Sequence, residues 1–131
     1  MCIFCKIISG EIPSYKVYED EKTLAFLDIK PINLGHTLVV PKNHYANLSE
    51  IPETELSNLI LIVKKVAVLL AEKLNFSDYT ISENNGPLAG QSVPHIHFHI
   101  IPRFQDDKLE SWEHKEYKEG EAEEIIKKIL S

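Results

Sequence analysis

The sequence predicts a single α+β domain with five strands, one long helix and a short helix near each end. Three observations support this prediction. Several short segments rich in β-branched and aromatic residues end at Gly, Pro, Asn or Asp, which is typical of strands. One longer segment instead repeats its apolar residues at the spacing of a helix. The 131 residues are close to the usual size of one domain, so we expect a single core.

The N-terminal third is expected to hold one short helix and three strands. Residues 3–8 predict a helix that ends at Gly10, because glycine accepts the left-handed backbone that stops helices. Residues 15–19 and 23–27 flank an Asp-Glu turn and predict a hairpin. After a loop rich in Pro, Asn and Gly, residues 36–41 predict a third strand that ends at a proline.

Residues 52–74 predict the one long helix. It begins at Pro52, and its apolar residues then recur three and four positions apart. Within it, residues 59–63 are apolar without interruption, and such a run goes right round a helix. Lys64 and Lys65 end the run, which is too short to cross a membrane. We therefore expect the helix to pack on a sheet with one side and on a second subunit with the other, as a homodimer.

The C-terminal half is expected to supply two more strands and a charged tail. Residues 79–83 and 93–101 predict the strands, and a loop with two glycines joins them at 84–92. Residues 104–131 form the tail, with an amphipathic helix at 121–130. We expect this tail to belong to the same folding unit as the rest.

Charge and composition exclude several classes of partner. The chain carries 20 acidic and 14 basic residues, a formal charge of −6, and no cluster of Lys and Arg suited to a phosphate backbone. We therefore expect no binding to nucleic-acid duplexes and no membrane association. No basic segment followed by an apolar one opens the sequence, so we expect a cytoplasmic location.

The only two cysteines, Cys2 and Cys5, are close together in the sequence. A disulfide between them would close almost no loop and would stabilise little. A metal site, a redox pair and chance remain as explanations, and the metal site is favoured only if histidines complete it.

Three histidines, His95, His97 and His99, occupy alternate positions of one short segment. In a strand their side chains share one face at a spacing of roughly 7 Å, while the apolar residues next to them take the other face. A plain solvent-facing surface is a poor explanation, because imidazole titrates near neutral pH and has no high strand propensity. Two chemical interpretations remain: a catalytic metal site with an open position for water, or an imidazole nucleophile that attacks phosphorus.

The loop before these histidines suits an anion. Residues 84–92 end in small residues and hydrogen-bond donors. Backbone N–H groups, the Gln91 amide and the Ser92 hydroxyl can therefore turn toward a phosphate held over His97. An ordinary glycine-containing hairpin loop is the plainer interpretation.

These residues resemble the histidine triad family of nucleotide-binding proteins. The segment QSVPHIHFHII at 91–101 is similar to the family's His-x-His-x-His signature, and residues 3–13, 24–29 and 35–42 resemble its earlier blocks in the same order. The resemblance covers residues 1–103 and implies one domain of this type over that range. It implies an α+β fold with a five-stranded antiparallel sheet, one long helix and short terminal helices.

The resemblance also implies a covalent mechanism. In the family the middle histidine, here His97, attacks the α-phosphorus of a nucleoside 5′-phosphate derivative, and water hydrolyses the nucleotidyl-histidine that results. His99 is then expected beside the phosphate oxygens. Ser92, Gln91 and Gly90 are expected around the phosphate and the leaving group.

A nucleotide pocket follows from the same resemblance. It places Asp28 on the ribose hydroxyls, with the capping of a turn as the plainer alternative, and Asn84 near the sugar and phosphate. His36 would lie behind the triad and support its rings. The base would lie among four apolar side chains, for which core packing is the alternative: Phe4, Ile7, Phe26 and Ile29.

The cysteines and two histidines match a zinc pattern found in a branch of the family. Cys2, Cys5, His44 and His95 follow the spacing Cys-x2-Cys-x38-His-x50-His. Two thiolates and two imidazoles close a tetrahedral shell, which is typical of a structural rather than a catalytic zinc. We therefore expect zinc to stabilise the chain and catalysis to need no metal.

These expectations predict a nucleotidyl hydrolase or transferase that acts on purine nucleoside 5′-phosphoramidates or related mixed phosphates. It would bind an AMP-like purine nucleotide as a homodimer. The alternatives are a zinc-stabilised module that binds nucleotides or a protein with little turnover, a hydrolase of dinucleoside polyphosphates, and a hydrolase with metal at the triad itself.

Overall fold

Five strands and three helices make up the computed structural model, which describes residues 2–131. The strands are β1 (Lys16–Glu19), β2 (Thr23–Leu27), β3 (Thr37–Pro41), β4 (Asp78–Glu83) and β5 (Phe98–Arg103). The helices are α1 (Ile3–Ser9), α2 (Glu53–Leu74) and α3 (Glu121–Leu130), with a 3₁₀ turn at Pro87–Ala89. All neighbouring strands pair antiparallel, in the order β1-β2-β3-β5-β4. The predicted α+β fold with a five-stranded antiparallel sheet is confirmed.

Helix α2 covers one face of the sheet. Its buried side chains Leu59, Val63 and Leu70 join the larger apolar core together with Val39 of β3 and Ile100 of β5. Each fully buried aliphatic side chain of this kind stabilises a fold by about 1.5–3 kcal/mol. The packing confirms that one side of the helix lies on a sheet.

The opposite side of α2 stays exposed in the single chain. Ile60, Leu61 and Val68 leave 44%, 65% and 53% of their surface open. The edge strand β4 likewise exposes 41% of Tyr79 and 41% of Ile81. The apolar run therefore goes right round the helix, as the sequence predicts.

Helix α1 lies on the other face of the sheet and forms a second, smaller core. Phe4 and Ile7 of the helix pack there with Phe26 of β2 and Leu38 of β3. The helix begins after Cys2, whose sulfur accepts a hydrogen bond from a backbone N–H of the first turn. A side chain that later proves part of a candidate metal site thus also caps the helix.

The fifth strand begins at Phe98 rather than at residue 93, which corrects the prediction. Pro94 has no N–H, and the N–H groups of His95 and Ile96 donate to carbonyls outside the sheet ladder, at 2.8 and 2.7 Å. Backbone donors used in this way cannot pair with a neighbouring strand. Strand β5 also extends beyond its predicted end, because it pairs there with the start of β4.

The alternation of side chains along this segment nevertheless follows the prediction. The rings of His95 and His97 lie 5.9 and 5.0 Å from the ring of Phe4 in α1. The apolar residues beside the histidines join the core under α2 instead: Ile96, Phe98 and Ile100. Two faces are therefore kept apart even where no strand ladder exists.

The C-terminal tail is mostly exposed. Helix α3 leaves 53% of Ile126 and 68% of Ile129 open to solvent. An ion pair between Asp107 and Arg103, 2.8 Å long, ties the start of the tail to β5. That residues 104–131 belong to the same unit as residues 1–103 stays a prediction. Within residues 2–131, no helix has the length and apolar character needed to span a membrane.

Candidate active site

A cleft of about 220 Å³ is bounded by α1, β2 and the segment that carries the histidines. Most of its wall is apolar. A larger depression of about 490 Å³ lies against α3, but charged tail residues line it and no histidine does. Eight of the predicted site residues line the first cleft: Phe4, Ile7, Phe26, Asp28, Ile29, Ser92, His97 and His99.

Sequence reasoning missed part of the cleft wall, including Ile12, Ser14, Leu38 and Val93. Leu38 had a usable signal, because it pairs directly with Phe26 across β2 and β3 and so shares its face. The other three lie outside the strands and reach the cleft through the course of their loops. Local sequence patterns carry no information about such approaches.

His97 has its ring oriented by the backbone. Its Nδ1 lies 2.8 Å from the carbonyl oxygen of His95. A carbonyl only accepts, so Nδ1 carries the proton and Nε2 of the neutral ring keeps its free electron pair. The residue is 3% exposed, and the ring of Phe4 meets it edge to face. The ring is therefore held in the tautomer that an Nε2 nucleophile requires.

His36 and His99 form a hydrogen-bonded chain behind His97. The N–H of Ile32 donates to Nδ1 of His36 at 3.1 Å. Nε2 of the neutral His36 ring therefore carries the proton and donates to Nδ1 of His99 at 2.9 Å. His99 in turn keeps its own proton on Nε2. Both rings line the cleft, and their centroids lie 4.9 Å apart, so a ring that carries an Nε2 proton stands beside one that keeps a free Nε2 electron pair.

Burial keeps these two rings neutral. Burial first, and then the neighbouring His97 and His36, lower the pKa of His99 to about 4, while Asp28 opposes them. Burial also lowers the pKa of His36, again against the pull of Asp28. Both rings are therefore uncharged at pH 7, which is the form that the hydrogen-bonded chain needs.

Asp28 serves a turn with only one of its oxygens. Its Oδ1 accepts from the N–H of Lys30 at 2.9 Å, which is the capping role that the sequence left open. Its Oδ2 lies 3.8 Å from Nε2 of His36. Because the side chain also lines the cleft, the cap and a contact with ligand hydroxyls are compatible.

The Gln91 side chain is hydrogen-bonded within and beside its own loop, and its predicted contact with a phosphate stays a prediction. Its Oε1 accepts from the N–H of Gly86 at 2.7 Å, and its Nε2 donates to the carbonyls of Ala46 and Val93 at 2.6 and 3.0 Å. Both amide hydrogens are thereby taken. Gln91 holds the loop in place, whereas Ser92 is exposed and lines the cleft.

Asn84 and Gly90 lie next to each other, and neither lines the cleft. Gly90 has a left-handed backbone with φ 89°, which glycine adopts without strain. A Cβ at this position would stand 3.7 Å from Nδ2 of Asn84. Their predicted contact with a nucleotide stays a prediction.

The four predicted zinc ligands come together from three parts of the chain. The sulfurs of Cys2 and Cys5 lie 3.1 Å apart, and both residues are free thiols. The Nδ1 atoms of His44 and His95 lie 3.1 Å apart, and each sulfur is 3.4 to 3.6 Å from them. A tetrahedron with such edges has its centre about 2.1 Å from each corner, close to usual Zn–N and Zn–S distances. The donor set therefore fits a tetrahedral zinc.

His95 connects this group to the nucleophile candidate. Its Nε2 donates to the carbonyl of Pro41 at 2.8 Å, so Nδ1 faces the sulfurs without a proton, as a metal ligand must. Its own carbonyl accepts from His97. One residue thus belongs to the metal cluster through its ring and orients His97 through its backbone.

A second group of possible metal ligands consists of Asp28, His36 and His99. The two ring nitrogens in it share a proton at 2.9 Å, so the group is a hydrogen-bonded chain rather than a set of free donors. Within the part of the chain that the structure describes, His97 belongs to neither group. The donor geometry therefore does not favour a metal held by the triad itself.

Comparison with known proteins gives consistent matches over most of the chain. A family model described as HIT domain matches residues 9–106. An uncharacterised HIT-like protein of Methanocaldococcus jannaschii is 56% identical over 129 residues, which are 98% of this chain and 98% of that protein. The adenosine 5′-monophosphoramidase of Candida albicans is 49% identical over 106 residues, which are 78% of this chain and 70% of that enzyme.

Solved structures share the fold as well as the sequence. A HIT family member from Bacillus subtilis superposes with a TM-score of 0.90 at 41% identity, covering 98% of this chain and 94% of that one. A zinc-bound histidine triad family protein from Mycobacterium smegmatis superposes with a TM-score of 0.79 at 40% identity, covering 83% of this chain and 79% of that one. With the motif, the fold and these matches in agreement, the chain belongs to the HIT domain family, the histidine triad proteins.

Proposed function

We propose that this protein hydrolyses purine nucleoside 5′-phosphoramidates or related mixed phosphates through a nucleotidyl-histidine intermediate on His97. The observation that carries the proposal is the hydrogen bond from Nδ1 of His97 to the His95 carbonyl, which leaves an unprotonated Nε2 in a ring that lines the cleft. The substrate class is supported by the 49% identity to a protein named as an adenosine 5′-monophosphoramidase.

The shape and chemistry of the cleft suit a nucleoside monophosphate. Phe4, Ile7, Phe26 and Ile29 offer apolar walls to a purine base. Asp28 keeps Oδ2 for the ribose hydroxyls, since only Oδ1 is taken by the turn. The phosphate then falls at the end of the cleft where the histidines and the Ser92 hydroxyl lie.

The chemistry proceeds as two displacements at phosphorus. Nε2 of His97 attacks the α-phosphorus, so an N–P bond forms while the bond to the leaving amine breaks, and the amine takes its proton from water. Nε2–H of His99 and the Ser92 hydroxyl donate to the phosphoryl oxygens, whose charge grows in the five-coordinate transition state. Water then attacks phosphorus, the N–P bond breaks, and the water proton returns to solvent, which restores neutral His97. Gln91 contributes by bracing the loop that carries Ser92.

A structural zinc at Cys2, Cys5, His44 and His95 is the second part of the proposal. The tetrahedral arrangement of four free donors supports it, as does the zinc-bound relative. When bound, the ion supplies no open position for water, because four protein ligands complete its shell. These ligands would join α1 to the segment before β5 and so stabilise the fold, and His97 is not among them, so we expect catalysis to proceed without a metal.

A homodimer is the assembly that the exposed surface supports. Leu61 on α2 is 65% exposed, and Ile81 on the edge strand β4 is 41% exposed. Sedimentation at micromolar concentration is expected to give twice the mass of one chain, and a monomer would contradict the proposal. The cytoplasmic location and the lack of a nucleic-acid duplex partner stay predictions.

A single-turnover assay with an adenosine phosphoramidate labelled in its phosphate tests the activity. We expect an acid-labile adduct on His97 that decays to AMP. A nucleotide-binding module would retain AMP but give no adduct, and a dinucleoside polyphosphate hydrolase would cut diadenosine polyphosphates faster than the phosphoramidate. Either result would overturn the proposed activity.

A further inference from the structure

Asp107 stands out from the exposed tail by the number of donors around its carboxylate. Arg103 donates from Nε to Oδ2 at 2.8 Å and from Nη2 to Oδ1 at 3.2 Å. The backbone N–H groups of Phe104 and Leu109 and the side-chain amide of Asn33 donate to it as well, at 3.1, 3.1 and 3.2 Å. The Asp107 side chain is only 9% exposed. Arg103 and these N–H groups hold the pKa of the carboxyl well below its usual range.

Asn33 lies in the loop between β2 and β3, so its bond to Asp107 connects that loop to the tail. Its Nδ2 donates to the carbonyl of Pro102 at 2.8 Å as well as to Asp107. Its backbone carbonyl accepts from the N–H of His36 at 3.0 Å. Asn33 is therefore hydrogen-bonded to the end of β5, to the start of the tail and to His36, the first ring of the hydrogen-bonded chain behind His97.

The same loop closes on His36 from its other side. The N–H of Asp28 donates to the carbonyl of His36 at 2.9 Å, and the N–H of Ile32 donates to Nδ1 of its ring. Asp28 and Ile29 at the start of the loop line the cleft. The position of this loop thus sets both the tautomer of His36 and the place of two cleft residues.

We propose that Asp107 is a positioning residue for this site: through Asn33 it holds the loop at 28–36, and so it fixes the Asp28 carboxylate and the ring of His36. The inference rests on the proposed function and adds a role for the start of the tail. Asp107 does not line the cleft, so it acts through Asn33 and not on a bound nucleotide.

The consequence of losing Asp107 follows from the donors it satisfies. Without the carboxylate, one hydrogen of the Asn33 amide and the fork of Arg103 lose their acceptor, and the loop is no longer tied to the tail. A displacement of about 1 Å in a residue that orients a reacting group costs up to about 100-fold in rate. A loss between tenfold and 100-fold is the size of effect that the geometry supports.

Asp107→Asn tests the proposal, with Asp106→Asn as the matched control. Both changes remove one carboxylate from the same turn, and Asp106 is exposed with φ 62°, a backbone that asparagine tolerates. The Asp107 carboxylate accepts hydrogen bonds at both oxygens, whereas an asparagine at this position has only one acceptor oxygen. We expect Asp107→Asn to weaken AMP binding about tenfold and to shift the imidazole nitrogen NMR signals of His36 and His99. Asp106→Asn should leave both unchanged.

Asn33→Ala approaches the same contact from the loop and keeps the pair between Arg103 and Asp107. It should reproduce the effect on AMP affinity and on the imidazole signals, and the double variant should lose no more than either single one. Additive losses would overturn the route through Asn33. Imidazole signals and AMP affinity in Asp107→Asn equal to those of Asp106→Asn would overturn the proposal itself.

The imidazole spectrum separates a failure of this inference from a failure of the proposed function. It requires no substrate, so it reports on His36 and His99 even in a protein without turnover. A wild-type protein that formed no nucleotidyl adduct would contradict the proposed function. Shifted His36 signals in Asp107→Asn would then still support the positioning role, and unshifted signals would overturn it.

Discussion

Two side-chain clusters share the histidine segment at 95–99 but are held by different partners. The zinc cluster, for which we propose a bound zinc, contains Cys2, Cys5, His44 and His95, whose donor atoms face a common centre. The ring cluster contains His36, His97 and His99, in which each Nδ1 is paired with a carbonyl, an N–H group or another ring.

The placement of protons, and not the residue type, separates the proposed metal site from the proposed catalytic site. His95 donates from Nε2 to the carbonyl of Pro41, so its Nδ1 is a bare donor for a metal. His97 donates from Nδ1 to the carbonyl of His95, so its Nε2 is bare instead. Alternate residues on one face thus present opposite nitrogens because different carbonyls lie beside them.

The largest effect is expected from His97→Ala, which removes the nucleophile from the ring cluster. Turnover of an adenosine phosphoramidate should fall by about four orders of magnitude or more, while AMP affinity stays within about tenfold, because a nucleophile contributes mainly after binding. Steady-state kinetics and calorimetric titration with AMP measure the two quantities. A variant that turned over at the wild-type rate would contradict the covalent mechanism.

The opposite pattern is expected from Cys2→Ser/Cys5→Ser, which removes two ligands from the zinc cluster. The melting temperature should fall by about 10 °C, because metal binding at such a site contributes to folding free energy. Turnover per folded molecule should stay within about threefold. Thermal unfolding with elemental analysis measures the first expectation, and a chelator should lower the melting temperature of the wild type but not of the variant. Wild-type protein purified without chelators and lacking zinc would contradict the structural site.

His36→Leu is expected to have an intermediate effect on the ring cluster alone. Without the proton from His36 Nε2, the neutral His99 ring is no longer confined to one tautomer, so the rate should fall about 10- to 100-fold. Zinc content should not change. His114→Leu, at an exposed position of the tail, is the control and should have the wild-type rate. Equal rates for both variants would show that the His36 ring does not support catalysis.

The smallest effect concerns acid stability. The pKa of His99 is about 4 in the folded chain and about 6.5 for an unperturbed imidazole, so between these pH values the unfolded chain binds more protons. The free energy of unfolding therefore falls as pH drops from about 6.5 to about 4. Above about pH 6.5 the His99 ring is neutral in both states, and the stability is at its full value.

His99→Gln should remove this part of the acid sensitivity. Allowing for the solvent access of the ring, we expect the loss of stability between pH 7 and pH 5 to be about 1 kcal/mol smaller in the variant. Urea unfolding at the two pH values measures it. The two proteins differ only at position 99, so identical pH slopes would contradict the assignment to His99.

The fold and the two clusters were predictable to different extents. Helix α2 was predicted almost to the residue, since a stripe of apolar residues at helical spacing is a local pattern. The start of β5 was not, because His95 and Ile96 give their N–H groups to carbonyls that no pairing pattern encodes. The bonds of the Gln91 side chain were not predictable for the same reason, since its amide donates to a carbonyl 45 positions earlier in the chain.

By itself the sequence determined which side chains share a face, because the alternation between the α1 and α2 sides depends only on backbone geometry along the segment. With a family resemblance it also indicated which cysteines and histidines belong together. Only the tertiary structure decided which nitrogen of each ring carries a proton and which loop Asp107 holds. The physical reason is that a hydrogen-bond acceptor acts over about 3 Å. The Pro41 carbonyl and the Asp107 carboxylate lie 54 and 74 positions from their donors, and the His95 carbonyl meets His97 only because the backbone before β5 leaves the strand ladder.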